Sequence, residues 1–118
     1  MNETFDSIVI GAGQAGPAMA ARLAASGERV ALIERDQMGG TCVNTGCMPT
    51  KTLVASAYAA HLARRAASYG VLLDGEVRVD MKAVRARAEA VSTSARTGNE
   101  RWLRTMEGRT FVEGHARL

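Results

Sequence analysis

The chain alternates between short β-branched apolar runs and longer stretches in which apolar residues return every three or four positions. Residues 5–10, FDSIVI, end in a run that stops at Gly11, the pattern of a buried strand. Pro17 to Ser26, PAMAARLAAS, is rich in alanine with Met19 and Leu23, and it predicts a helix closed by Gly27, with Pro17 in the first turn. Arg29 to Ile33 reads as a second strand with Glu34 at its C-terminal end. Thr52 to Ser68 sets Leu53, Val54, Ala57, Tyr58 and Leu62 at helical spacing, which predicts a one-sided apolar stripe. His61, on the edge of that stripe, reads as a partly buried helix histidine and not as a ligand. Gly70 ends this helix, and Val71 to Val79 is extended around Asp74-Gly75, as a tight hairpin or a plain loop.

Asp80 is the expected N-cap of a helix running to about Thr97. Its apolar residues Met81, Val84, Ala88, Val91 and Ala95 step by three and four, the narrow seam of a helix laid lengthwise on another. The 52–68 helix is the partner, so the region predicts a long antiparallel helical pair, with Trp102 extending the seam past Gly98 as a packing residue. Thr110 to Leu118 is strand-like.

The order strand, Gly11-Ala12-Gly13-Gln14-Ala15-Gly16, helix, strand, acid makes one βαβ unit, with Glu34 about twenty residues beyond the glycines. Gly11 permits the tight turn, Gly13 lets a pyrophosphate approach the backbone, and Gly16 lets the helix pack close to the strand. The helix N-terminus offers free N–H groups and the positive end of its dipole. Glu34 accepts from ribose hydroxyls and repels a 2′-phosphate, so the expected nucleotide is NAD-like or FAD and not NADP.

Composition narrows the class. With 118 residues and 47% hydrophobic content, the chain suits one modest core and not two. Apolar runs are short, and MNETFDSIVIG lacks the basic and apolar regions of an export signal, so a soluble, cytoplasmic protein without a membrane partner is expected. The net charge of +3 comes from bases interleaved with acids and never clustered beyond pairs such as Arg64-Arg65, which argues for a solvated surface and against nucleic acid.

Only two cysteines are present, and both fall in 39-GGTCVNTGCMPTK-51. In a reducing compartment such a pair points to catalysis or metal binding. His61 and His115 are the only histidines, at spacings that match no common zinc site, so no metal site is expected. Five residues along an ideal helix separate Cα atoms by about 8.6 Å, too far for a disulfide. If Cys42 and Cys47 pair, the chain between them turns irregularly, which Asn44, Thr45 and Gly46 suit, and Pro49 suits the start of a following helix. Cys47 then sits at the helix entrance, where the dipole lowers a thiol's pKa, and Cys42 lies upstream, freer to reach outward. Lys51, one of two lysines among fifteen basic residues, adds positive charge nearby.

The combination of 11-GAGQAG-16, Glu34 and 39-GGTCVNTGCMPTK-51 resembles the N-terminal FAD segment of the class I pyridine nucleotide-disulfide oxidoreductases, the family of glutathione reductase, dihydrolipoamide dehydrogenase and mercuric reductase. The resemblance spans essentially the whole chain, including the 114-GHARL-118 ending, and its wording is most similar to mercuric reductase-like proteins. It implies an α/β fold: a Rossmann-like FAD-binding βαβ unit with a parallel sheet, plus the helical pair. Residues 1–118 would be the truncated N-terminal part of a single FAD/NAD(P)-binding domain. The implied activity passes electrons from NAD(P)H through FAD to a Cys42–Cys47 disulfide and on to a disulfide or metal-ion substrate. Cys42 would be the interchange thiol and Cys47 the charge-transfer thiol. Lys51 would stand near the reactive edge of the flavin, Gly40 and Thr41 near its pyrophosphate and ring, Glu34 on the adenosine ribose and Ala116 near the adenine. NAD(P)H would bind a domain absent from this chain, and the full-length enzyme would be a homodimer whose partner subunit supplies a histidine acid/base. The alternative is an isolated FAD-binding or thiol-redox module without turnover.

Overall fold

The computed structural model describes residues 3–117. Met1, Asn2 and Leu118, the last residue of the expected C-terminal strand-like segment, lie outside them. Three short runs rich in β-branched residues form strands, β1 (Ser7–Ile10), β2 (Val30–Glu34) and β3 (Arg109–Glu113). They make one all-parallel sheet in the order β1-β2-β3, with Val9, Leu32 and Phe111 in register across it. The sheet therefore has its middle strand in β2, whose Val30, Ala31 and Leu32 are all buried. The expected C-terminal strand is only Arg109–Glu113, and the chain from Gly114 to Arg117 is not strand.

Helix α1 (Gly16–Ala25) returns the chain from β1 to β2. Its tight approach is possible because residue 16 has no side chain: a β-carbon there would stand 1.8 Å from the Gly11 carbonyl oxygen. Pro17 occupies the first turn, and Gly27, at φ +93°, carries the chain out of the helix in a conformation that other residues resist. The βαβ unit thus forms with the boundaries its sequence predicts to within a residue or two.

The five-residue α2 (Gly40–Asn44) and the 18-residue α3 (Cys47–Arg64) follow, and then, after a single 3-10 turn at Ala66–Tyr69, the long α4 (Met81–Thr105). The Asp74-Gly75 dipeptide makes a loop and no hairpin. Asp80 caps α4 as expected: one carboxylate oxygen accepts from the amides of Lys82 at 2.9 Å and Ala83 at 3.0 Å. The helix does not end near Thr97 but continues through Gly98 to Thr105. A mid-helix glycine costs roughly 1 kcal/mol. Burying a leucine returns about 1.5–3 kcal/mol, and Leu103, five residues on, is fully buried in the core with Val30, Leu32 and Ala20. Leu103, and not the half-exposed Trp102, anchors this end.

α3 and α4 pack lengthwise and antiparallel. Arg87 meets α3 at Thr52 and Ser56, whereas Arg96, farther along α4, meets Gln37 and Asn44, which precede α3. The face of α3 that meets α4 is not the predicted stripe. Leu53, Val54, Tyr58 and Leu62 are exposed, Val54 and Tyr58 by 61%, and the buried residue is Thr52. Its hydroxyl is satisfied by the Met48 carbonyl at 2.8 Å, so a polar side chain enters the interface without an unmet hydrogen bond. His61 is exposed, not partly buried; it stacks on Tyr58 and lies 3.4 Å from Arg65 Nη1. Among the described residues no helix is long and apolar enough to cross a membrane.

One face of the sheet, that of Val9, Leu32 and Phe111, is covered by α1 and the end of α4. The register places Ile8, Ile10 and Val112 on the other face, where they are 61%, 58% and 39% exposed.

Candidate functional site

The strands' C-terminal ends, the usual binding edge of an open parallel sheet, bring the glycine loop and the cysteine window into contact. The Gly39 amide donates to the Ala12 carbonyl at 2.8 Å. A β-carbon on Gly40 would meet the Gly13 Cα at 2.9 Å, and one on Gly39 would meet the Val43 side chain at 2.6 Å. Gly39 and Gly40 also hold φ of +92° and +59°. The Gly39-Gly40 pair is thus required twice over: it turns the chain through the left-handed region, and it lets two backbones touch.

Glu34 ties the glycine loop to the second strand. Its Oε2 accepts from the Ala12 amide at 2.7 Å and its Oε1 from the Asp36 amide at 2.9 Å. Burial pushes its carboxyl upward, but hydrogen bonds from the Ala12, Asp36 and Arg35 amides and the Arg35 charge outweigh it and hold the carboxyl below its ordinary value. Glu34 is therefore an anion, and the amides do not exhaust its lone pairs, so it can still accept from a hydroxyl donor. It lines three clefts, one of about 470 Å³ that takes in Gln37, Arg96 and Phe111 and two smaller ones toward the glycine loop and the cysteine turn. Of the smaller two, one, of about 170 Å³, also takes in Gly11 and Ala116; the other, of about 270 Å³, takes in Gly40, Thr41 and Asn44.

An extended nucleotide such as FAD fits this edge. The space beyond Gly11 and Gly13 is open, the first turn of α1 carries no acidic residue, and its cap is not filled by a side chain. A phosphate is offered free amides there and meets no acidic side chain in that turn.

Cys42 lies within α2 and Cys47 is the first residue of α3. The two helices are separated by Thr45 and Gly46, the irregular turn expected for pairing, and Gly46 packs so tightly on α2 that a β-carbon would stand 2.9 Å from the Thr41 carbonyl oxygen. Both cysteines are free thiols, Cys47 exposed and Cys42 partly so. The Cys42 thiol pKa lies above its ordinary value, chiefly through a hydrogen bond shared with the Cys47 thiol, then through burial and the proximity of the second sulfur. The Cys47 amide and the Lys51 charge pull the other way. The amide at the α3 entrance thus also reaches the Cys42 sulfur.

Gly11, Gly13, Gly16, Glu34, Gly40, Thr41, Cys42 and Cys47 are gathered along one edge, with Lys51 one turn into α3 and Ala116 across the smallest of these clefts. Three residues escaped sequence reasoning. Gln14 donates to the Gly39 carbonyl at 3.4 Å, Met38 is buried beneath the turn, and Arg96 reaches from α4 to Gln37 and Asn44. One arginine among fifteen bases carries no signal of its own.

Fold and site together define a parallel α/β unit whose glycine loop is pressed against a two-thiol turn. The family described as pyridine nucleotide-disulphide oxidoreductase matches residues 5–111, and the chain belongs to that family. A dihydrolipoyl dehydrogenase of Rhizobium etli is 42% identical over 98 residues, 83% of this chain and 20% of the relative. A dihydrolipoyl dehydrogenase 2 of Haloarcula marismortui is 40% identical over 92% of this chain and 22% of its own length. The Cu(II) complex of a cysteine-to-serine mutant of the HOCl-induced flavoprotein disulfide reductase RclA from Escherichia coli superposes with a TM-score of 0.78 at 32% identity, over 100% of this chain and 23% of that one. RclA itself gives 0.71 at 33% identity. The chain spans about a fifth of the length of the relatives it matches.

Proposed function

We propose that these residues form the FAD-binding and thiol-redox part of an enzyme that passes electrons from NAD(P)H to a disulfide substrate. The observation that carries this reading is the contact of Gly39 and Gly40 with Ala12 and Gly13, which sets the dithiol turn beside the nucleotide cradle. Gly11, Gly13 and Gly16 would receive the pyrophosphate, Glu34 the adenosine ribose, and Ala116 the adenine end. Gly40, Thr41 and Lys51 would lie toward the flavin. Bound FAD would supply a two-electron carrier that a reduced nicotinamide, held by a separate NAD(P)H domain, can charge.

The chain's own chemistry lies in the two sulfurs. As the dithiol, Cys42 attacks one sulfur of the substrate disulfide, forming a mixed disulfide and releasing the first thiolate. Cys47 then attacks the Cys42 sulfur, closing Cys42–Cys47 and releasing the second. Two electrons leave the pair, and two protons end on the released thiols. The names of the relatives favour a disulfide or dithiol substrate; a metal-ion substrate of the mercuric kind rests on sequence wording alone. A homodimer and a cytoplasmic setting belong to the same reading. An isolated module without turnover is disfavoured by the bare sheet face, since parallel sheets pack on both sides.

The test is a visible absorption titration of the chain with FAD, followed by stepwise anaerobic reduction. A shifted, resolved flavin band and then long-wavelength charge-transfer absorbance, lost in Cys47→Ser, is the expected result. A chain spectrum indistinguishable from free FAD throughout would remove the support for a flavin site assembled by these residues.

A further inference from the structure

The segment that carries Cys42 is a single short helical turn held by its neighbours, with the Gly39 amide on the Ala12 carbonyl and Met38 and Val43 buried. α2 is five residues long, opens on Gly39 in the left-handed conformation and has no side-chain cap; a helix that short does not hold itself. Besides Gln14, which donates to the Gly39 carbonyl, its side-chain ties converge on two residues. Asn44 Nδ2 donates to the Met38 carbonyl at 3.0 Å and the Gly40 carbonyl at 2.9 Å, which fastens the turn to the helix it opens. Arg96 Nη1 donates to Gln37 Oε1 at 2.6 Å and to Asn44 Oδ1 at 3.3 Å. Gln37 and Asn44 bracket the Met38-Gly39-Gly40 turn and Cys42, so one guanidinium on α4 grips the segment at both ends.

Cys47 is held separately but by the same helix. It opens α3, and α3 is tied to α4 through Arg87, whose Nη1 donates to the Thr52 carbonyl at 3.0 Å and to Ser56 Oγ at 3.2 Å. α4 therefore ties the two cysteine segments together through two arginines, and among the described residues Arg96 makes the side-chain hydrogen bonds from α4 to the Cys42 side.

We propose that Arg96 is a positioning residue for the Cys42–Cys47 pair: its bridge from α4 to Gln37 and Asn44 holds Cys42 within reach of Cys47 and so favours closure of the disulfide. The assignment rests on the redox reading above. Closure depends on the effective concentration of one thiol about the other, which falls when either is freed to wander. Hydrogen bonds donated by a charged group are among the stronger ones, and losing this bridge should lower the closure constant roughly tenfold.

The experiment equilibrates the 118-residue chain with mixtures of oxidised and reduced glutathione. Free thiols are trapped by alkylation, and the Cys42–Cys47 disulfide is counted by mass spectrometry. In closure the two cysteines give up two electrons and two protons as their S–S bond forms, and oxidised glutathione takes up both to become two thiols. Arg96→Ala should lower the constant about tenfold, Arg96→Lys should recover part of the loss, and Arg85→Ala should leave it unchanged, because Arg85 pairs only with Glu89 on the exposed side of α4. Circular dichroism checks that each variant is folded; should Arg96→Ala unfold, Gln37→Ala removes the 2.6 Å bond alone and takes its place with a smaller expected drop. A parent chain that pairs normally while the folded variant keeps the parent constant would overturn the assignment of Arg96. A parent chain that forms no Cys42–Cys47 disulfide at any glutathione ratio would overturn the redox reading itself.

Discussion

Gly40 rests directly on Gly13: a β-carbon on the first would come within 2.9 Å of the Cα of the second. The residue also holds φ at +59°. Gly40→Ala must therefore open the contact between the two loops and accept backbone strain, at a combined cost of about 1–3 kcal/mol. We expect a lower unfolding midpoint and FAD affinity weakened about tenfold, read by denaturant titration and by flavin fluorescence; unchanged values would mean that the two loops need not touch.

Glu34 gives the fold an acid sensitivity. Its folded pKa lies below the ordinary 4.5, so its contribution to stability is complete above 4.5 and is lost as pH falls from there through the folded value. Glu34→Gln removes this contribution. The gap in denaturation midpoint between parent and variant should be widest near neutrality and close in acid, and a gap independent of pH would contradict the carboxylate's hydrogen bonds to Ala12 and Asp36.

The Cys42 thiol titrates above its ordinary 9.0 because Cys47 shares a hydrogen bond with it and Lys51 only partly compensates. Since the thiolate is the reactive form, the pH midpoint of Cys42 alkylation in the chain without cofactor should fall in Cys47→Ala and rise in Lys51→Met. Identical midpoints, followed by peptide mapping of the alkylated residue, would show that the sulfurs do not communicate.

Asp80 satisfies two otherwise free amides at the start of α4. Asp80→Ala should cost about 1 kcal/mol and Asp80→Asn much less. The loss should appear as faster hydrogen exchange in the first turn of α4, with the sheet amides unaffected.

Where local chemistry dictates structure, the sequence was readable. Gly16 has no alternative with a carbonyl oxygen 1.8 Å from its missing β-carbon, Asp80 caps, and the break at Thr45-Gly46 follows from asking how Cys42 and Cys47 could meet. The failures share one cause: hydrophobicity does not say which partner a surface finds. The α3 stripe of Leu53, Val54, Tyr58 and Leu62 has the right period, yet the helices close through Thr52 and Ser56, small residues that bond within the helix or to Arg87. The extent of α4 was set by Leu103 meeting the sheet, a contact across some seventy residues that no window around Gly98 contains. Arg96 was invisible for the same reason, since Gln37 and Asn44 lie more than fifty residues away.

The uncovered side of the sheet has a colloidal consequence. Ile8, Ile10 and Val112 form a wettable strip only in the poorest sense, a β-branched apolar surface on a regular backbone. Each molecule in solution offers its neighbour the covering that its own sheet lacks. Turbidity of this chain should therefore climb with protein concentration and with sulfate, which strengthens apolar association, and a charged residue in place of Ile10 should keep the solution clear.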